Sequence, residues 1–305
     1  MNAMLYLLTV LIWGTTWIAL KWQLGTASIP VSIAWRFLLA SLVLFAILFF
    51  RKQLRRPRGE AWWLILAQGL FLFCVNFLCF YHASQWIPSG LVSVVFSTST
   101  LWVALTARLF MKRPLSPQVL GGGALGLAGI LALFWPQLAA PMAGTNTLLG
   151  LGLALAGTLC FSAGNLLSSR LQTLGHMPLQ TNAWAMMAGT IILLIGSLAS
   201  GQQFSLDTSP RYLAALLYLA IPGSVIGFTA YLMLVGRIGP ERAAYSTVLF
   251  PVVALNISVV FEGYQWTPLA LCGLVLVMAG NVLVFRKKKA PAPVAGFDGK
   301  PAGAP

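Results

Sequence analysis

Ten apolar runs, each close to twenty residues, take up almost the whole chain: 3–22, 30–50, 62–82, 87–110, 117–135, 147–170, 178–200, 211–235, 241–261 and 267–286. A helix rises ~1.5 Å per residue, so each run is long enough for the ~30 Å of hydrocarbon in a bilayer. The links between runs are short and carry turn-forming breakers, among them Pro30, Pro57, Pro88, Pro136, Pro178, Pro210 and Gly239-Pro240. The pattern predicts an all-α polytopic membrane protein with ten transmembrane helices. Composition supports this: 59% of the 305 residues are hydrophobic and 8% charged, where soluble domains carry about a quarter charged residues.

The net charge of +14 would suggest a nucleic-acid partner in a soluble protein, but the cations sit in short clusters between apolar runs. They form no continuous basic face, so no nucleic-acid binding is expected. Their distribution encodes orientation instead. With a cytoplasmic amino terminus, one side receives Arg51, Lys52, Arg55, Arg56, Arg58, Arg108, Lys112, Arg113, Arg170, Arg237, Arg242 and Arg286 to Lys289, and the other only Lys21, Arg36 and Arg211. The positive-inside rule then puts both termini in the cytoplasm. The first run begins at Met4 with no Lys or Arg ahead of it and holds Trp13 and Trp17, which favours a retained helix over a cleaved signal. Cys74, Cys79, Cys160 and Cys272 lie inside apolar runs without metal-type spacing, so they read as small buried hydrophobes.

The chain also repeats itself. Shifted by 151 positions, Phe110 meets Phe261, Pro117 Pro268, Leu120 Leu271, Gly122 Gly273, Leu125 Leu276, Ala128 Ala279, Gly129 Gly280 and Phe134 Phe285. More weakly, Pro30 matches Pro178, and LIWGTTW (11–17) lies against LCFSAGN (159–165). Five spans per copy is an odd number, so the second copy crosses the membrane in the opposite sense. The expected organisation is a first five-helix repeat over 1–146, a second inverted one over 147–289, and a flexible Ala/Pro/Gly-rich tail over 290–305.

The opening WGTTWIALK, the run PVSIAWRFLL (30–39), and the twice-used order of apolar span, Ser/Thr-Pro turn and Gly-rich span resemble the drug/metabolite transporter superfamily, in its ten-helix EamA-type branch. The resemblance covers about residues 3–286. It implies a secondary transporter of the cytoplasmic (inner) membrane, usually an exporter of amino acids or related metabolites, with a central cavity lined by spans 1, 3, 4, 6, 8 and 9. One departure matters. The acidic residue often found at the end of span 4 is Met111 or Lys112 here, while the second copy keeps Glu262.

Several residues are candidates for the cavity. Pro222-Gly223-Ser224 falls near the middle of span 8, where a lost N–H and a loose backbone predict an interruption, and interrupted spans point to a transporter's site. Pro251 similarly leaves the Thr247 carbonyl without its usual partner. Hydroxyls at Ser97 and Thr100 lie near the middle of span 4 and either bond their own helix or face a cavity. Asn76 and Asn165 need partners at depth, and spans 3 and 6 are cavity spans by the resemblance. Trp13, Trp17, Trp102, Trp184, Tyr231 and Tyr245 lie deeper than the interface aromatics and suit an apolar or aromatic side chain or an organic cation. Arg36, about two turns into span 2, must snorkel, pair with Glu262, or meet an anion such as a substrate carboxylate. Substrate binding is therefore expected at Trp13, Trp17, Arg36, Asn76, Ser97, Thr100, Trp102, Asn165, Trp184, Ser224, Tyr231 and Tyr245, with specificity at the mismatches Thr100 against Pro251 and Met111 against Glu262. The glycines of LGGGALGLAG (120–129) read as helix packing, with Gly122/Gly129 and Gly273/Gly280 each on one face.

HExxH, GxSxG and paired aspartates are missing, so no enzyme, metal or cofactor is expected. The reading is a monomeric secondary transporter in the lipid bilayer that exports small metabolites, amino acids with aromatic or apolar side chains favoured, by alternating access. An uptake permease of the same fold and a lipid translocase remain as alternatives.

Overall fold

A computed structural model describes residues 2–25, 27–111, 117–138 and 144–285. Lys112, Arg113, the cations from Arg286 to Lys289 and the tail expected from Ala290 lie outside these residues. Every regular element described is helical. The helices are α1 Asn2–Trp22, α2 Ile29–Phe50, α3 Glu60–Gln68, α4 Asn76–Trp86, α5 Ser89–Ser97, α6 Ser99–Met111, α7 Pro117–Leu138, α8 Gly144–Thr173, α9 Pro178–Ala199, α10 Pro210–Tyr218, α11 Gly227–Ile238, α12 Pro240–Ala244, α13 Phe250–Glu262 and α14 Pro268–Phe285.

Among the described residues eight helices are long and apolar enough to cross a membrane, and α5 with α6, bent by 42°, makes a ninth if taken as one span. The remaining expected span corresponds to the shorter α14. Large apolar side chains such as Phe50, Leu198, Val260 and Val275 face outward, as a lipid-facing surface requires. The chain is a polytopic helical membrane protein.

The interruptions recur at matching places in the two halves. A π-helical stretch, Gly69–Val75, joins α3 to α4, and a second, Leu219–Ile226, joins α10 to α11. The second is the break expected at Pro222, whose missing N–H leaves the regular ladder one bond short. Between α5 and α6 the bend falls at Thr98, and the 3₁₀ stretch Tyr245–Leu249 precedes α13. The Thr247 carbonyl freed by Pro251 does not stay open, because the Phe250 N–H takes it in 3₁₀ fashion. These two breaks touch: the Thr247 hydroxyl lies 3.0 Å from that of Ser99 and donates to the Ser97 carbonyl at 3.3 Å.

Matching helices of the two halves also pack on each other. A β-carbon at Gly129 would stand 2.6 Å from the Gly273 carbonyl, and one at Gly273 2.6 Å from the Gly129 carbonyl; Gly122 and Gly280 face each other in the same reciprocal way. The register makes α7 and α14 antiparallel, with backbones close enough that only glycine fits.

The basic loops gather at one end of the bundle. Arg55 supplies its carbonyl to Gln180 Nε2 and Trp184 Nε1, Arg170 lies 3.8 Å from Glu60, and Arg237 reaches Asn2. Lys21, Arg211 and Glu262 lie together around a depression at the other end.

Candidate functional site

A small cavity of about 40 Å³ lies where both halves converge, lined by Trp13, Thr16, Trp17 and Leu20 of α1, Arg36 of α2, Asn76, Phe77 and Phe80 of α4, Phe96 of α5, Phe161 of α8 and Phe228 of α11. Its walls are mainly ring faces. Trp13 sits at the hub, with ring centroids 4.6 Å from Phe228, 5.0 Å from Tyr231, 5.9 Å from Phe250 and 6.0 Å from Phe161. Trp17 lies 5.4 Å from both Phe80 and Phe96. Most of these pairs are edge-to-face, an arrangement that fixes ring orientation as well as filling space.

The polar groups of the site are tied to the broken span. Trp13 Nε1 donates to the Gly223 carbonyl at 3.0 Å, within the π-helical stretch. Arg36 Nε donates to Ser224 Oγ at 3.0 Å, and that hydroxyl donates to the Leu219 carbonyl at 2.8 Å. Asn76 Nδ2 donates to the Gly157 carbonyl at 2.9 Å, which binds α4 to α8. Behind the aromatic wall, Asn165 Nδ2 donates to the Tyr231 hydroxyl at 3.1 Å.

Arg36 is 2% exposed, with its guanidinium carbon 4.4 Å from the Phe77 ring centroid and 5.1 Å from that of Phe37. It therefore does not snorkel to the interface. Nor does it pair with Glu262, whose carboxylate is 2.9 Å from Lys21 Nζ and accepts bonds from Ser89 and Ser258. The Tyr81 hydroxyl, which donates to Gln23 Oε1, also acts electrostatically on Arg36.

Of the residues expected to bind substrate, Trp13, Trp17, Arg36 and Asn76 line the cavity, Ser224 holds Arg36, and Asn165 and Tyr231 support the wall. The others lie elsewhere. Ser97 donates to the Val94 carbonyl, and Thr100 donates to Asn281 on α14. Trp102 borders a separate void beside Gly123 and Gly126. Trp184 is half-buried against Trp62, with its N–H on Arg55, at the basic end. The side chains of Tyr245 and Met111 lie outside the described residues. Thr100, Pro251 and Glu262, expected to set specificity, are not on the cavity wall.

The phenylalanines of the wall carried no distinguishing signal among eighteen in the chain. A usable clue was their spacing from the chosen amides. Phe80 follows Asn76 by four positions, and Phe161 precedes Asn165 by four, which sets each pair on a common helix face.

The two halves match the profile of the EamA-like transporter family separately, over residues 1–135 and 148–286. The chain belongs to the EamA-like transporter family. Its EamA relatives include the uncharacterised inner membrane transporter YedA of Escherichia coli (strain K12), 29% identical over 93% of this chain and 92% of its own length. A probable amino-acid metabolite efflux pump of Salmonella typhimurium (strain LT2) is also 29% identical, over 94% of this chain and 97% of its own. A solved crystal structure with 19% identity superposes with a TM-score of 0.66, covering 93% of this chain and 96% of that one, which reinforces the fold. As an EamA protein the chain is a multi-pass transporter of the inner membrane.

Proposed function

We propose that this transporter exports small metabolites, amino acids and their derivatives with aromatic or apolar side chains foremost, by alternating access between two inverted five-helix halves. The observation that carries this reading is the ring-walled cavity containing Arg36. It is lined by helices from both halves, beside the interrupted backbone of Leu219–Ile226.

The cavity's size supports an occluded state. About 40 Å³ holds two or three waters and is too small for an amino acid. Larger depressions of about 430 Å³ and 410 Å³ lie at opposite ends, one beside Gln172 and Arg242 and the other beside Lys21 and Arg211. In this reading the ends open alternately onto the central site. With the basic end in the cytoplasm, both termini are cytoplasmic, ten spans cross the membrane, and the halves are 1–146 and 147–289. The efflux-pump name of the Salmonella relative favours export of amino-acid metabolites. The protein works as a monomer without metal or cofactor.

Counterflow of labelled aromatic and branched amino acids into proteoliposomes loaded with the same unlabelled compounds tests this. Exchange is expected for one or more of them. No exchange across a broad panel by folded protein would remove the substrate class.

A further inference from the structure

Among the described residues lining the central cavity there is a buried positive charge and no negative one. Among the described residues Glu60 lies near Arg170, Glu262 pairs with Lys21, and Asp207 accepts from the Ser209 N–H; no carboxylate reaches Arg36. Arg36 is also the one charged residue among those lining the space. A cation at depth in a membrane is costly, and such residues mark substrate or ion pathways. A second donor is available beside it: Trp17 lines the same cavity, and its buried indole N–H has no partner among the described residues.

We propose that Arg36 is the receptor for a carboxylate of the transported molecule, and that the ligand class is a monocarboxylate with an apolar or aromatic tail, for which an α-ammonium group is not required. This rests on the transport reading above. The planar guanidinium fork matches a carboxylate, and in a low-dielectric wall the charge-assisted bond is strong. An ammonium, by contrast, finds no acidic partner on this lining, only ring faces and the neutral polar groups of Thr16 and Asn76, which compensate weakly for its lost hydration. One cation does not balance a phosphate dianion, which makes a monoanion the fitting charge. The existing space suits a carboxylate head, and the surrounding rings suit the tail. Ser224 is a positioning residue: its hydroxyl holds Arg36 Nε while donating to the carbonyl five residues back, so the fork is aimed by the π-helical stretch itself.

The test uses purified full-length protein in nanodiscs, with intrinsic tryptophan fluorescence and thermal shift as readouts. Hydrocinnamate, phenylalanine and phenethylamine share one tail and differ in head group. Hydrocinnamate is expected to bind at least as tightly as phenylalanine, and phenethylamine not to bind. Arg36→Gln should weaken hydrocinnamate by about thirtyfold or more, the size of a lost buried charge-assisted contact, with a cooperative melt showing that the variant is folded. Arg36→Lys should fall between. Phenethylamine binding as well as hydrocinnamate, absence of any hydrocinnamate response in wild type, or undiminished affinity in a folded Arg36→Gln protein would each overturn the proposal. The head-group comparison on wild type stands even where a variant fails to fold. Amino-acid counterflow without carboxylate binding leaves the transport reading and removes this site; carboxylate binding without counterflow does the reverse.

Discussion

Lys21 Nζ lies 2.9 Å from Glu262 Oε1, joining the last turn of α1 to the last residue of α13. The same carboxylate accepts from the Ser89 N–H at 3.1 Å and from the Ser89 and Ser258 hydroxyls, so it also caps the start of α5. Three helices from two halves are thus fastened at the end away from the basic loops. Glu262→Ala is expected to lower stability by about 2–4 kcal/mol, because it removes a helix cap and leaves several buried donors unpaired. Lys21→Ala should cost about 1 kcal/mol or less, since that side chain is one-third exposed. Thermal melts of the two purified variants check the order, and equal losses would show that the ion pair rather than the cap dominates.

Gly129→Ala places a methyl group against the Gly273 carbonyl and should cost about 1–3 kcal/mol as overpacking. Gly126→Ala is the control. It lies in the same helix, yet a β-carbon there meets nothing within 4 Å, so the variant should melt at or slightly above the wild-type temperature.

Trp13→Phe keeps one aromatic ring but removes the pyrrole ring of the indole and with it the bond to the Gly223 carbonyl. The expected loss is about 1–2 kcal/mol, the net value of a buried bond plus an acceptor left open. Counterflow should slow as well, because the π-helical stretch loses its lateral tether. Undisturbed exchange rates in Trp13→Phe vesicles would detach that tether from the transport cycle.

Pro222→Ala restores a backbone donor to the interrupted helix. Stability should rise by a few tenths to about 1 kcal/mol as the regular ladder closes, and the rate of exchange should fall as the break stiffens. Melting temperature and counterflow measured on one preparation show whether the two move in opposite directions.

Asn165 and Tyr231 are joined across α8 and α11 at 3.1 Å. Asn165→Leu, Tyr231→Phe and their combination form a double-mutant cycle in which a coupling of about 0.5–1.5 kcal/mol is expected. Strict additivity would remove the bond as a support of the wall.

The membrane setting, the helix positions and the repeat were legible because they rest on spacing and hydropathy, which a bilayer enforces locally. Trp13, Trp17, Arg36 and Asn76 stood out because polar or amphipathic groups at depth need partners. The phenylalanines did not, since a phenyl ring is equally at home against lipid or inside the bundle, and only packing sorts Phe96 from Phe50. Nor could local pattern show that Thr100 lies off the cavity wall. Its hydroxyl is satisfied by Asn281, a residue 181 positions away that no local pattern links to it. Trp184 lies too near its helix start to reach the centre, and its N–H belongs to the Arg55 loop.

The crossing of α7 and α14 places Gly122 on Gly280 and Gly129 on Gly273, each contact the mirror of the other. Such mutual use of one patch is the rule of an isologous dimer, where residue i meets j and j meets i. Fused into one chain, the contact still behaves as a dimer seam. A larger side chain on either helix collides with the other, and neither has a compensating partner to shrink, because glycine is already the smallest residue. The seam therefore tolerates no enlargement from either side.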